Sequence, residues 1–176
     1  TAPELSVVVP TFNERDNVAL LVQRIAATLA GISWEIIFVD DDSPDGTAAR
    51  VRELGRVDPR VRCIRRIQRR GLAGACIEGI LSAQAPLVAV MDADLQHDEG
   101  VLVPMLELMR AGQHDLVVGS RYIGGGSATA GFSVSRQASS HFASTLARRL
   151  LGVEVTDPMS GFFLLRRDVA ETIAPQ

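Results

Sequence analysis

Lysine is missing from this chain of 176 residues, so arginine supplies all 18 of its basic side chains. A Walker P-loop and a Schiff-base or pyridoxal-phosphate site each need a lysine ammonium group, and the sequence therefore excludes those classes. Cysteine is scarce too: Cys63 and Cys76 form no CxxC pair, which argues against a zinc knuckle or a disulfide scaffold and favours a reducing cytoplasm. Apolar runs all fall well short of the roughly 18 residues that a membrane-spanning helix needs.

The formal charge of −3 gives no electrostatic footprint for nucleic acid. The arginines are nevertheless unevenly placed, since nine of the 18 fall between Arg50 and Arg70. This cluster is either a solvated face or a patch for partners that carry phosphate, such as an anionic membrane surface. A hydrophobic fraction of 47% is enough to build a core, and no linker or internal repeat interrupts the chain, so one domain is expected over residues 1–176.

Short apolar runs alternate with helical periodicity, which is typical of βαβ units in a largely parallel sheet. The pattern predicts strands at 5–9, 34–39, 61–64, 87–91, 115–118 and 162–165, and helices at 15–30, after Gly46, at 72–84, 104–110 and 134–151. Open sheets of this kind bind ligands at the carboxyl ends of their strands. The residues that directly follow the strands are therefore the candidates for function.

Two carboxylates, Asp92 and Asp94, follow the fourth predicted strand. One small residue separates them, so their side chains point the same way and can share an ion, with Gln96 as a further oxygen ligand. Oxygen ligands of this kind suit Mg²⁺ or Mn²⁺ held together with substrate phosphates. A helix-capping role in a loop is the alternative.

Acidic residues also follow the first two strands. Asp40 and Asp41 end the second strand, and Glu14 lies in the turn after the first. These carboxylates either cap the next helix or accept hydrogen bonds from a nucleobase or from ribose hydroxyls.

A candidate phosphate pocket lies farther along the chain. Arg121 follows a Gly-Ser pair, and Arg136 and Ser140 share one helical face because they are four residues apart. The arginine fork matches phosphate oxygens, although a solvated helix face would show the same spacing. His97 and His141 are candidate acids or bases, to which the sequence assigns no role.

Six ordered motifs, which span nearly the whole chain, resemble the dolichol-phosphate mannose synthase group of inverting glycosyltransferases. The motifs are PTFNE at 10–14, VDDDSPDGT at 39–47, RRGLAGA at 69–75, MDADLQH at 91–97, VVGSRY at 117–122 and DPMSGFF at 157–163. The resemblance implies a GT-A fold, which is a Rossmann-like α/β architecture with helices on both sides of a mostly parallel sheet. It also implies a nucleotide sugar donor, above all GDP-mannose, and a polyprenyl phosphate acceptor.

Carried over residue by residue, the resemblance assigns three groups of side chains and a catalytic set. The nucleotide sugar donor would contact Pro10, Thr11, Glu14, Asp40, Asp41, Arg70 and Asp92. Mg²⁺ or Mn²⁺ would be held by Asp92, Asp94 and Gln96, and the acceptor phosphate would be bound by Arg121, Arg136 and Ser140. The catalytic residues would be Asp94, Arg121 and Asp157. The chain departs from the pattern at Phe163, where many relatives carry arginine. Because relatives continue beyond this length, the resemblance also implies a truncated C-terminal end. A lipid acceptor implies peripheral attachment to the cytoplasmic face of a membrane.

Two alternatives keep the same motifs: a polyprenyl-phosphate glucose synthase that uses UDP-glucose, and a nucleotide-sugar-binding module without turnover. Other classes lack a required feature. A haloacid-dehalogenase phosphatase needs lysine, a processive polysaccharide synthase carries a QxxRW motif, and a dinucleotide oxidoreductase needs GxGxxG where this chain has PTFNE.

Overall fold

A computed structural model describes residues 2–119 and 161–173. The described elements are β1 (Leu5–Thr11), α1 (Val18–Thr28), β2 (Trp34–Asp40), α2 (Thr47–Val57), β3 (Val61–Arg65), α3 (Leu72–Leu81), β4 (Leu87–Val90), a 3₁₀ turn (Glu99–Val101), α4 (Leu102–Arg110), β5 (Leu116–Val118), β6 (Phe163–Arg166) and α5 (Arg167–Ile173). The predicted helix at 134–151 lies outside the described residues.

The described strands form one sheet in the order β3-β2-β1-β4-β6-β5. β1 pairs in parallel with β2 and with β4, and β2 pairs in parallel with β3. β6 is antiparallel to both β4 and β5, so among the described strands it alone is reversed. The predicted mostly parallel sheet is confirmed. The chain switches direction across the sheet between β1 and β4, which is where a ligand crevice opens in such folds.

Helices cover both faces of the sheet because side chains alternate along each strand. On one face, Val7 and Val9 of β1 share a buried cluster with residues of α1, α2 and α4. On the other face, Val8 shares a second buried cluster with residues of α3 and α5. At Gly79 of α3 a Cβ would lie 2.3 Å from Val8 Cγ1, so the missing side chain lets α3 approach β1 closely. The helices packed in these two clusters hold the strands in place, and with them the carboxyl ends at which the candidate site lies.

Two helices are shorter than their hydrophobic periodicity predicts. α1 spans Val18–Thr28 instead of 15–30, and residues 15–17 form a turn before it, in which the N–H groups of Asn17 and Val18 donate to the carbonyl of Glu14 (3.0 and 3.2 Å). α3 ends at Leu81 instead of residue 84, because the N–H of Gln84 donates to Glu35 Oε1 (2.7 Å). At the end of α3, a side chain distant in sequence therefore takes an N–H that a longer helix would use.

Candidate active site

The carboxyl ends of β1, β2 and β4 lie side by side at one edge of the sheet. Thr11 is paired with Asp40 in the parallel register of β1 and β2, and the N–H of Asp41 donates to the carbonyl of Thr11 (3.0 Å). The N–H of Met91 donates to the carbonyl of Val8 (3.1 Å), which carries the β1–β4 pairing one residue past β4. The three predicted acidic turns therefore converge at one edge, next to the switch point.

Asp40 supports the loop after β2. Its side chain is fully buried, and Oδ1 accepts hydrogen bonds from Thr11 Oγ1 (3.3 Å) and Ser43 Oγ (2.5 Å), while Oδ2 accepts from the N–H of Ser43 (3.0 Å). Thr11 is only 4% exposed. The side-chain polar atoms of both residues are thus engaged inside the protein. The geometry gives Asp40 and Thr11 a structural role, and the direct donor contact expected from the sequence stays a prediction.

Asp41, the next residue along the chain, contacts a different set of partners, at the start of α3. Its Oδ1 accepts from Arg66 Nη1 (2.6 Å), and its Oδ2 accepts from the N–H of Gly71 (2.7 Å). The residue is 8% exposed. A carboxylate offers about four acceptor positions, so these two bonds leave acceptor capacity for a ligand N–H or O–H.

The loop after β1 is fastened to the loop after β2 by three backbone N–H groups. Those of Asn13, Glu14 and Arg15 donate to Ser43 Oγ (2.9 Å), Thr47 Oγ1 (3.0 Å) and Asp45 Oδ2 (3.2 Å) respectively. Burial alone would raise the pKa of Asp45, but hydrogen bonds from Thr47 and from the backbone of Arg15 lower it below its ordinary value.

Glu14 sits at this junction with its side chain partly buried. Its Oε2 accepts from Asn17 Nδ2 (2.7 Å). Pro10, near the end of β1, is half-buried. Both predicted donor-binding residues therefore stand on a segment whose backbone is held against its neighbour.

Asp92 and Asp94 lie directly beyond β4, and Asp92 is partly exposed. Oδ1 of Asp94 accepts from the N–H of Gln96 (3.1 Å), which closes a tight turn with Leu95 in the left-handed region at φ 62°. Gln96 itself is exposed. The turn presents two carboxylates and an amide near the crevice.

The Asp92 carboxylate lies close to two residues that sequence reasoning did not assign. His97 Nε2 lies 3.1 Å from Asp92 Oδ2, and the His97 ring is buried against Phe162 with centroids 5.3 Å apart. Gly161 also lies close, since a Cβ there would come within 2.8 Å of Asp92 Oδ2. The Asp92 side chain still keeps 38% of its surface exposed.

The chemistry of the Asp92, Asp94 and Gln96 side chains fits a hard divalent cation. Mg²⁺ is usually held by one or two carboxylates and takes its remaining ligands from phosphates and water. Within residues 2–119 and 161–173, no three His, Cys, Asp or Glu side chains cluster as a metal site. Two carboxylates and an amide leave coordination positions of such a cation for phosphates or water.

Arg70 and the other arginines of the 50–70 cluster have distinct surroundings. The Arg70 guanidinium lies 4.8 Å from the ring centroid of Phe12, which is 45% exposed at the end of β1. This places Arg70 beside the crevice.

Six other arginines of the 50–70 cluster form ion pairs with carboxylates: Arg50, Arg60, Arg62, Arg65, Arg66 and Arg69. Most of the cluster's charge is therefore compensated locally, which favours a solvated face over a patch for phosphate.

The candidate acceptor residues Arg121, Arg136 and Ser140, and the catalytic candidate Asp157, lie outside the described residues. Phe163 is described: it is 7% exposed in β6 and packs in the cluster with α3. It therefore serves the core. No helix within the described part of the chain is long and apolar enough to cross a membrane.

Arg66 and Gly161 are residues of this edge that the sequence analysis did not single out, and His97 was named there only as a candidate acid or base without a role. Arg66 directly follows β3, so its position at the carboxyl edge was the available signal. His97 and Gly161 belong to the motifs at 91–97 and 157–163, in which other residues received the predicted roles.

Comparison with known proteins identifies the family. The family model for glycosyl transferase family 2 matches residues 6–174. Over 172 residues the chain is 40% identical to a dolichol-phosphate mannosyltransferase of Pyrococcus furiosus, covering 97% of this chain and 48% of that protein. Over 171 residues it is 38% identical to a polyprenol monophosphomannose synthase of Mycolicibacterium smegmatis, covering 95% and 63%. The chain thus spans about half to two thirds of the length of these relatives.

Solved structures agree on the fold. A mannosyltransferase of Pyrobaculum calidifontis, in complex with GDP-Man and Mn²⁺, superposes with a TM-score of 0.66 at 19% identity, over 99% of this chain and 47% of that one. A glucosyl-3-phosphoglycerate synthase of Mycobacterium tuberculosis, in complex with Mn²⁺, UDP and phosphoglyceric acid, gives 0.63 at 25% identity, over 94% and 56%. The GT-A fold expected from the motifs is confirmed, and the chain belongs to glycosyl transferase family 2.

Proposed function

We propose that this chain is the donor-binding part of a metal-dependent inverting glycosyltransferase that moves mannose from GDP-mannose to a polyprenyl phosphate. The observation that carries the proposal is the convergence of Asp41 with Asp92 and Asp94 at the switch point of the sheet. The relatives named as dolichol-phosphate mannosyltransferases and polyprenol monophosphomannose synthase support this choice of sugar and acceptor.

The donor would lie across the carboxyl edge. Its nucleoside would meet Pro10, Glu14, Asp41 and Arg70. The loops after β1 and β2 are fixed to each other by hydrogen bonds, and Arg70 reaches them from the loop after β3 through its contact with Phe12. Asp41 would accept a hydrogen bond from the nucleoside, while Asp40 and Thr11 keep the loop beneath it in place. Because this scaffold is already hydrogen-bonded, donor binding needs little ordering on this side.

Asp92, Asp94 and Gln96 would hold Mg²⁺ or Mn²⁺ against the donor diphosphate. A cation held there would supply positive charge against the departing nucleotide diphosphate. His97 would orient the Asp92 carboxylate through its contact with Oδ2, and the missing side chain of Gly161 leaves the space that this carboxylate occupies. Asp94 is oriented through the turn that Gln96 closes.

The acceptor would bind through Arg121, Arg136 and Ser140, with Asp157 orienting an arginine or the substrate. A phosphate monoester oxygen is already anionic near neutral pH, so it needs no general base. This oxygen forms the new bond to the anomeric carbon, while the bond from that carbon to the diphosphate breaks and its electron pair leaves with the nucleotide. The acceptor is a lipid, so we place the enzyme peripherally at the cytoplasmic face of a membrane, where nucleotide sugars are present.

The experiment that tests this proposal is calorimetric titration of the chain with GDP-mannose and UDP-glucose, each with Mn²⁺, with Mg²⁺ and with a chelator. We expect tight binding of GDP-mannose that the chelator abolishes. Asp94→Asn should remove the metal dependence, whereas Asp98→Asn should not, because the Asp98 carboxylate accepts from the N–H of Gly100 (2.9 Å) at the start of the 3₁₀ turn. Selective binding of UDP-glucose would contradict the mannose assignment. Donor binding without transfer to added polyprenyl phosphate would favour a binding module.

A further inference from the structure

Arg66 is a buried cation at the edge of the candidate site. Only 6% of the residue is exposed. Its Nη1 donates both to Asp41 Oδ1 (2.6 Å) and to the carbonyl of Gly71 (3.0 Å), and its Nε lies 3.2 Å from Glu78 Oε2. A Cβ at Gly74 would come within 2.6 Å of Nη2, so the missing side chain makes room for the guanidinium. Nη1 thus makes the hydrogen bonds to Asp41 and Gly71, while the buried Nε is close to Glu78 without a hydrogen bond.

Arg66, Asp41 and Gly71 form a closed ring of contacts. The Asp41 carboxylate accepts from Arg66 on one oxygen and from the N–H of Gly71 on the other (2.7 Å). One carboxylate therefore holds both ends of the segment 66–71. Gly71 has φ 132°, a conformation that other residues rarely adopt, so the closure depends on glycine at this point. The exposed loop between these ends carries Arg70, which lies over Phe12.

This ring of contacts fixes the orientation of the Asp41 carboxylate, and so the direction from which a ligand can donate a hydrogen bond to it. Two fixed donors, approaching different oxygens, leave the carboxylate a single orientation. Without the guanidinium, the buried carboxylate would lose its charge partner and could turn toward solvent. Arg66 itself makes its contacts inside the protein and need not touch a ligand to have this effect.

We propose that Arg66 is a positioning residue for the nucleotide donor, which acts by holding the Asp41 carboxylate and the 67–70 loop in the geometry that receives the nucleotide. The inference rests on the proposed function, because it concerns the same donor site. It adds a residue to which neither the sequence motifs nor the comparisons give a role.

The first test is Arg66→Lys, compared with Arg62→Lys. Lysine keeps the charge at either position but replaces the planar fork by one ammonium group. Arg62 is a matched control, because its Nη1 also donates to a carboxylate and to a backbone carbonyl, Glu35 Oε2 (2.7 Å) and Ser82 O (3.0 Å), away from the donor site. We expect Arg66→Lys to weaken GDP-mannose binding about tenfold in calorimetry, with the Arg62→Lys affinity unchanged. Equal affinities for both variants and the parent chain would overturn the proposal.

A double-mutant cycle with Asp41→Asn separates positioning from direct contact. If Arg66 acts through Asp41, adding Arg66→Gln to Asp41→Asn should change donor affinity less than about twofold, although each single change weakens binding about tenfold. The double variant also removes both buried charges together, so it should fold even if Arg66→Gln alone does not. Additive losses would overturn the proposal that Arg66 acts through Asp41. Failure of the parent chain to bind any nucleotide sugar would refute the proposed function, whereas failure of the variants to differ would refute only this inference.

Discussion

Replacing Gly161 by alanine should weaken donor binding without unfolding the protein. A Cβ at this position would lie 2.8 Å from Asp92 Oδ2, 3.2 Å from Oδ1 and 3.3 Å from Cγ, where ordinary contact begins at 3.4 Å. The carboxylate must therefore shift by about 0.6 Å, which also strains its contact with His97. Misplacing a reacting or binding group by about 1 Å costs on the order of a hundredfold, so we expect GDP-mannose affinity to fall about tenfold, or about 1.4 kcal/mol.

Stability should respond differently, because the clash falls on the end of a side chain. Gly161 does not adopt a positive φ, so alanine fits its backbone, and the free energy of unfolding should change by less than about 1 kcal/mol. Gly112→Ala is the control in which stability and not donor binding should change. Gly112 has φ 74°, and a Cβ there would meet nothing within 4 Å, so alanine strains only the backbone. We expect it to lower the melting temperature and leave donor affinity intact.

The assay is titration of each variant with GDP-mannose and Mn²⁺, beside a thermal melt of the free protein. We expect opposite outcomes for the two glycines: weaker binding with a nearly unchanged melting temperature for Gly161→Ala, and a lower melting temperature with unchanged binding for Gly112→Ala. If Gly161→Ala bound the donor as tightly as the parent chain, Asp92 would not belong to the donor site in the arrangement described.

Three further predictions follow from the same edge of the sheet and from the ion pairs around it. Asp94→Asn should leave the melt unchanged and make residual donor binding indifferent to Mn²⁺; a chelator effect that persists in this variant would exclude Asp94 as a metal ligand. Arg121→Ala and Arg136→Ala should reduce transfer to polyprenyl phosphate at least about tenfold more than donor affinity, and equal losses would contradict separate pockets. A hydrogen bond from Arg110 lowers the pKa of Glu4, so this group stabilises the fold above its ordinary pKa near 4.5 and loses that effect as acid protonates it. Arg110→Gln should flatten the fall in unfolding free energy below that pH, and an identical acid profile would show that the pair contributes nothing.

The sheet and the edge at which ligands bind were predictable because short stretches of sequence determine the strands and the residues that follow them. Buried parallel strands are nearly continuous apolar runs, and the acids that follow them reach one edge by topology alone. Side-chain partners were not predictable, as Asp40 and Asp41 show. The two are adjacent and chemically identical, yet one is bound by Ser43 and Thr11 and the other by Arg66. Only the tertiary arrangement of β1, β3 and α3 decides which of them keeps acceptor capacity for a ligand.

Contacts between residues distant in sequence also decide where α3 ends and which residues lie beside Asp92. α3 stops where a carboxylate 49 residues away, that of Glu35, takes the N–H of Gln84. Gly161 reaches Asp92 only because β6 lies beside β4, a pairing that no periodicity encodes. Local patterns thus predict elements, while contacts between distant residues decide where elements stop and which side chains face the crevice.

The insertion of β6 between β4 and β5 has a consequence for how the chain is made. β5 meets the rest of the described sheet through β6, and Phe163 pairs with Val90 on one side and Val118 on the other. During synthesis, β1 to β4 can assemble as soon as they leave the ribosome, but β5 must wait until residues 163–166 have been translated. A nascent chain stalled before that point would expose an open edge on β4, which makes this interval the stage at which a chaperone has most to protect.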